Sequence, residues 1–128
     1  MTAGRIAVLI HDRYEAEAAL ALAAGREVDL VVPVGMVGPA FAEALEALLG
    51  RPVIAYCDDR PGLAMEALRV GLRVLVLEDG VTAARLADIA RQQGGTLWTT
   101  LPAPLYTVSP NGRRLVPAAL GAAGRLVP

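Results

Sequence analysis

The order of apolar runs, loops and helix-like segments predicts an α/β fold built on a mostly parallel sheet. Three observations carry that prediction. Four short apolar runs end on polar or Gly/Pro loops: Ile6–Ile10 on His11-Asp12, Leu30–Val34 on Gly35-Met36-Val37-Gly38-Pro39, Val53–Tyr56 on Cys57-Asp58-Asp59, and Val74–Leu77 on Glu78-Asp79-Gly80. Each loop leads into a helix-like segment. Repeated strand-loop-helix units build parallel sheets, whose function gathers at the carboxyl ends of the strands.

Taken in order, Arg5–Ile10 is a short β-rich run, and Asp12 caps a helix from Tyr14 to about Ala24 that Gly25 stops. Glu27–Val34 is the second strand. Pro39 suits the first turn of a helix that ends at Leu49 before Gly50. Phe41, Leu45, Leu48 and Leu49 share one face of that helix at helical spacing. Pro52–Cys57 is the third strand, Pro61–Leu68 a helix, and Leu72–Leu77 the fourth strand. Thr82–Gln92 is a helix with Leu86, Ile89 and Ala90 inside, stopped by Gly94-Gly95, and Thr96–Leu101 is a fifth strand. Beyond it, Leu105–Val108 and Arg114–Val116 flank Pro110-Asn111-Gly112, a hairpin signal because Asn-Gly accepts positive φ. Ala118–Pro128 reads as a short helix or a tail.

A reversal in strand order would place helices on both faces of the sheet. The expected architecture is therefore a five-stranded, flavodoxin- or Rossmann-like three-layer sandwich over residues 1–101. Residues 102–128 form a Pro-rich hairpin appendix, packed on that domain or on a partner subunit.

Composition narrows function mostly by exclusion. A chain of 128 residues, 55% apolar and 20% charged, makes one compact domain. Net charge is −1 with no basic stripe, which argues against nucleic acid as a partner. All 12 basic side chains are arginine, so Schiff-base chemistry and the P-loop lysine are excluded. Ser109, His11 and Cys57 are each the only residue of their type. Ser109 lies in a turn and not at a nucleophile elbow, and one chain cannot build a Cys/His zinc site or a disulfide. The first residues lack the pattern of a secretory signal, and no apolar run reaches the eighteen or so residues of a membrane span. These features predict a cytoplasmic protein with no membrane partner.

The candidate site residues lie at the ends of the strands. Asp12, Asp58, Asp59, Glu78 and Asp79 are acidic loop ends, and a convergence of Asp12, Asp58 and Asp59 would suit Mg²⁺; no other cofactor is expected. Helix capping by Asp12 and Asp58 is the simpler account and the favoured one. His11 and Asp58 are the candidates for proton transfer. Gly35, Gly38 and Pro39 form a loop that lets an anion approach backbone amides, set against a plain tight turn. Cys57 is read as a reactive thiol or, preferably, a small apolar filler. Trp98 and Tyr106 are expected to be core or interface anchors.

From about Asp29 to Leu97 the chain resembles the receiver domain of bacterial response regulators. The run from Arg51 to Gly71 looks like that family's fourth strand and following helix, Leu75–Gly80 like its fifth strand, and Met36-Val37-Gly38 like the Met-Pro-Gly after its third. The phosphorylated aspartate would fall at Pro33 or Val34, the switch hydroxyl at Cys57 and the essential lysine at Glu78. Only Asp12 remains of the acid pair after strand one. The resemblance therefore implies a degenerate receiver without phosphotransfer, kept as a docking surface. A second resemblance, carried by Gly38-Pro39 and Cys57-Asp58-x-x-Pro61-Gly62-x-Ala64, is to short α/β proteins of GC-rich proteobacteria. It would set Gly35, Gly38, Pro39, Cys57, Asp58 and Pro61 along one edge of the sheet.

Two expectations follow. The first is a non-enzymatic interaction module that forms a homodimer or binds a protein partner. The second is a small-molecule or anion-binding protein or enzyme with its site at the strand carboxyl ends.

Overall fold

The computed structural model describes residues 5–78 and 80–118. Seven strands alternate with five helices: β1 (Arg5–Leu9), α1 (Arg13–Leu22), β2 (Glu27–Pro33), α2 (Val34–Val37), α3 (Pro39–Leu49), β3 (Ile54–Tyr56), α4 (Pro61–Arg69), β4 (Val74–Val76), α5 (Gly80–Gln92), β5 (Thr96–Trp98), β6 (Leu105–Val108) and β7 (Leu115–Pro117). They form one sheet of order β5-β4-β3-β2-β1-β6-β7. The architecture is α/β with a mostly parallel sheet, consistent with a three-layer fold. The order reverses at β1, where the chain returns from the far edge to place β6 beside it.

The strand count corrects the sequence reading, which expected five strands and an appended hairpin. β6 pairs parallel with β1, Ala7 opposite Leu105 and Leu9 opposite Thr107, so the hairpin belongs to the sheet. The open side of β1 presents backbone donors and acceptors that need partners, and β6 supplies them. Local sequence signals the antiparallel turn and carries no trace of a parallel pairing across almost the whole chain.

The chain divides into two compact units. The first holds residues 1–30 and 101–128, the second residues 31–100. In the first, α1 packs near β6, and β6 and β7 pair antiparallel with Thr107 opposite Val116. Ile6, Ala7 and Val8 are buried in succession, and Ile10 is buried after the half-buried Leu9. Arg5 hydrogen-bonds to Asp29 at 2.8 Å and also pairs with Glu27. The Asp29 hydrogen bond and charge, with help from Glu27, hold the exposed guanidinium above its usual pKa.

In the second unit, β2, β3 and β4 run parallel, Val32 facing Ala55 and Ala55 facing Leu75. Ala55, Tyr56, Cys57, Leu75, Val76 and Leu77 are all buried, although successive side chains point to opposite faces of the sheet. Burial of both faces is what covered parallel strands require. α3, α4 and α5 pack side by side.

The buried face of α3 covers only part of the apolar face that Phe41, Leu45, Leu48 and Leu49 share. Ala42 and Leu45 are buried, whereas Phe41 is 39% and Leu48 59% exposed. The contact arc is centred on Ala42, Leu45 and Leu49, and at 100° per residue Phe41 and Leu48 fall outside it.

Candidate functional site

In the second unit the carboxyl ends of β2, β3 and β4 carry most of the residues expected there. β2 does not end on an open loop. It passes directly into the single helical turn α2, and Gly38, at φ 91°, turns the chain into α3. Pro39 takes the first position of α3, where its missing N–H costs nothing. Gly35 lies inside α2 under two side chains from the loop after β3. A Cβ there would lie 2.8 Å from Arg60 Nη2 and 2.9 Å from Asp58 Oδ2. The structure thus brings Gly35 and Asp58 together and adds Arg60.

Asp58 adopts the left-handed conformation at φ 55°, one that aspartate tolerates better than most residues. It is not the N-cap of α4; that position is held by Arg60, without a side-chain cap. The Asp58 carbonyl accepts from Glu78 N at 2.7 Å, and Cys57 N donates to Val76 O at 2.8 Å, so the ends of β3 and β4 are knitted together. The Tyr56 hydroxyl, on a buried ring, donates to the Glu78 carboxylate.

Cys57 is fully buried, and that burial, reinforced by the Asp58 charge and opposed by Arg60, pushes its thiol up to about 12. At neutral pH it is a thiol and no nucleophile, which fits the small apolar filler and corrects the reactive-thiol alternative.

In the first unit, Asp12 caps α1 as expected, its Oδ1 accepting from Glu15 N at 2.8 Å. Glu15 reaches back to accept from His11 N at 2.7 Å and lies 2.9 Å from His11 Nδ1. This is the reciprocal logic of a capping box, displaced by one residue. His11 is thereby positioned by a carboxylate. Ser109 is held in the turn after β6, its Oγ donating to Asn111 Oδ1 at 2.7 Å and accepting from Arg114 N at 3.2 Å.

Among the described residues no three of His, Cys, Asp and Glu gather as a metal site. Asp79 and residues 119–128, including most of the expected C-terminal helix or tail, lie outside the described residues. One groove in the second unit, beside Glu46, Gly50, Pro52, Gly71 and Arg73, opens where β3 and β4 begin, at their amino ends. No helix among the described residues is long and apolar enough to cross a membrane.

Sequence reasoning missed Tyr56 and Arg60. Tyr56 reads as one more apolar strand residue, and its pairing with Glu78 has no local signature. Arg60 could have been found from its place just before Pro61, at the mouth of α4. Together these groups offer hydrogen bonding and charge but no activated nucleophile. No family model matches the chain, and no curated protein or solved structure matches it.

Proposed function

We propose that this chain is a non-enzymatic, receiver-like interaction module without phosphotransfer, which docks a protein partner through the outer face of α3. One observation carries the reading. Phe41, Ala44 and Leu48 lie exposed on one contiguous stripe, continued on one side by exposed Ala40 and Ala47 and bordered there by Glu43. Met36, on the neighbouring α2, is 67% exposed. A helix apolar on both its inner and outer faces is normally covered on both. The buried thiol and the Ser109 turn network, neither poised as a nucleophile, support the same reading. In it the module works in the cytoplasm, as a dimer or bound to another protein.

The test compares wild type with the double variant Phe41→Glu/Leu48→Glu. Both sites are exposed, so stability should change by no more than about 0.5 kcal/mol. Cross-linking in native extract followed by mass spectrometry should recover a protein joined to wild type and lost from the variant. Equal recovery from both would refute the α3 reading.

A second reading, a small-molecule or anion site, draws on the Arg60 guanidinium and Asp58 carboxylate that converge over Gly35. A thermal-shift panel of Mg²⁺, phosphate, nucleotides, dicarboxylates and beryllofluoride tests it. A ligand at a hundred times its Kd stabilises by about 2.7 kcal/mol. A shift abolished by Arg60→Ala would favour this reading over the interaction module.

A further inference from the structure

β5 forms one end of the strand order, with no strand on its outer side among the described residues. Its inner side is occupied. Thr96 N donates to Arg73 O at 2.7 Å, and Trp98 O accepts from Leu77 N at 2.9 Å. A parallel ladder alternates, so Leu97, between them, turns its backbone N–H and C=O to the open side. The flanking side chains of Thr96 and Trp98 are exposed.

Proteins block such edges with charges, proline or bulges. Here the chain from Gln93 to Leu101 contains no charged residue and no proline. The strand at the other end of the order, β7, carries Pro117 and follows directly on Arg113-Arg114. Both edge strands are three residues long, and only β7 adds proline and flanking charge to that shortness.

We infer that β5 is a docking edge for a second copy of this chain, paired antiparallel about a two-fold axis at Leu97. The occupant follows from charge. Pairing about a two-fold sets Leu97 opposite its own copy and Thr96 opposite the copy's tryptophan at position 98. A charged edge paired with itself would oppose like charges, which destabilises a ladder; this edge has none to oppose. Each Leu97 exchanges both free backbone hydrogen bonds with its twin, and each Trp98 ring meets a β-branched threonine across the strands. The inference stands apart from the α3 face and survives its failure.

The experiment measures mass in solution by light scattering over a concentration series, together with oxidative cross-linking. Opposed residues in a hydrogen-bonded antiparallel pair have Cα atoms about 5.5 Å apart, within disulfide range. Leu97→Cys should therefore form a disulfide dimer at least tenfold faster than Phe41→Cys, while native Cys57 stays buried and silent. Wild type should reach twice the monomer mass. Trp98→Glu, which places two like charges on the shared face, and Leu97→Pro, which removes the outward N–H, should each return it to monomer. Circular dichroism checks that both variants are folded; if Leu97→Pro is not, Trp98→Glu and the cross-link decide. A monomer at every concentration overturns the inference. So does a dimer that survives Trp98→Glu yet is broken by Phe41→Glu/Leu48→Glu, which would assign the contact to α3.

Discussion

The Tyr56 hydroxyl donates to the Glu78 carboxylate, tying a buried ring at the end of β3 to the segment that follows β4. The bond adds a side-chain tie to two segments that the Glu78 N–Asp58 O backbone hydrogen bond already joins. Its charged acceptor makes it stronger than a neutral pair. Tyr56→Phe should lower unfolding free energy by about 1–3 kcal/mol, seen as a lower urea midpoint at unchanged slope. Glu78→Gln keeps an acceptor and should cost less. Equal stability of Tyr56→Phe and wild type would show that the bond contributes nothing net.

Two glycines make a paired prediction. A Cβ at Gly95 would lie 2.6 Å from the Arg73 carbonyl oxygen, a backbone atom just before β4. At Gly35 the obstacles are the tips of the Arg60 and Asp58 side chains, which can swing away. Gly95→Ala should therefore cost about 1–3 kcal/mol through overpacking. Gly35→Ala should cost less, because alanine favours the helical turn it would join. Chemical denaturation of both variants settles the order, and a reversed order contradicts the packing described for β4 and β5.

Loss of the α1 cap should be measurable. Asp12→Ala removes the acceptor for Glu15 N and should cost about 0.5–2 kcal/mol, whereas Asp12→Asn should retain most of the stability. Hydrogen exchange at the first turn of α1 should quicken in the alanine variant only. Exchange that stays slow would mean that Glu15, through His11 N, holds the turn by itself.

Cys57 predicts both reactivity and pH dependence. Burial raises its thiol from the ordinary 9.0 to about 12. A thiol reagent at pH 8 should label native protein negligibly and denatured protein fully. Between about pH 9 and 12 the unfolded chain has released this proton while the folded chain keeps it. The unfolded state then binds fewer protons, so this group's contribution to stability falls as pH rises through that window and is constant below it. Cys57→Ala should remove that part of the alkaline slope. Fast native labelling at pH 8 would contradict the burial.

Much of this architecture is legible in the amino-acid sequence. The Pro39–Leu49 helix was read with its boundaries, because Pro at its start and Gly at its end are steric signals carried by single residues. Asp12 as a cap was legible for the same reason. The short turn α2 was not, since Val34–Val37 has strand-like composition and only the turn at Gly38 resolves it. Nor was the outward position of Phe41 and Leu48, because periodicity identifies an apolar arc without saying how much of it the sheet covers.

The amino-acid sequence by itself determined the element types, the parallel class of the sheet and the exclusions: no lysine chemistry, no intrachain disulfide, no triad. These depend on local sterics and on which functional groups exist. Tertiary structure alone decided that β6 lies beside β1, that Tyr56 meets Glu78, and that Asp58 and Arg60 close over Gly35. Among the described residues it also left no strand on the outer side of β5. Those relationships join residues far apart in sequence, and a parallel pairing or a loop-to-loop contact leaves no periodic mark on either partner.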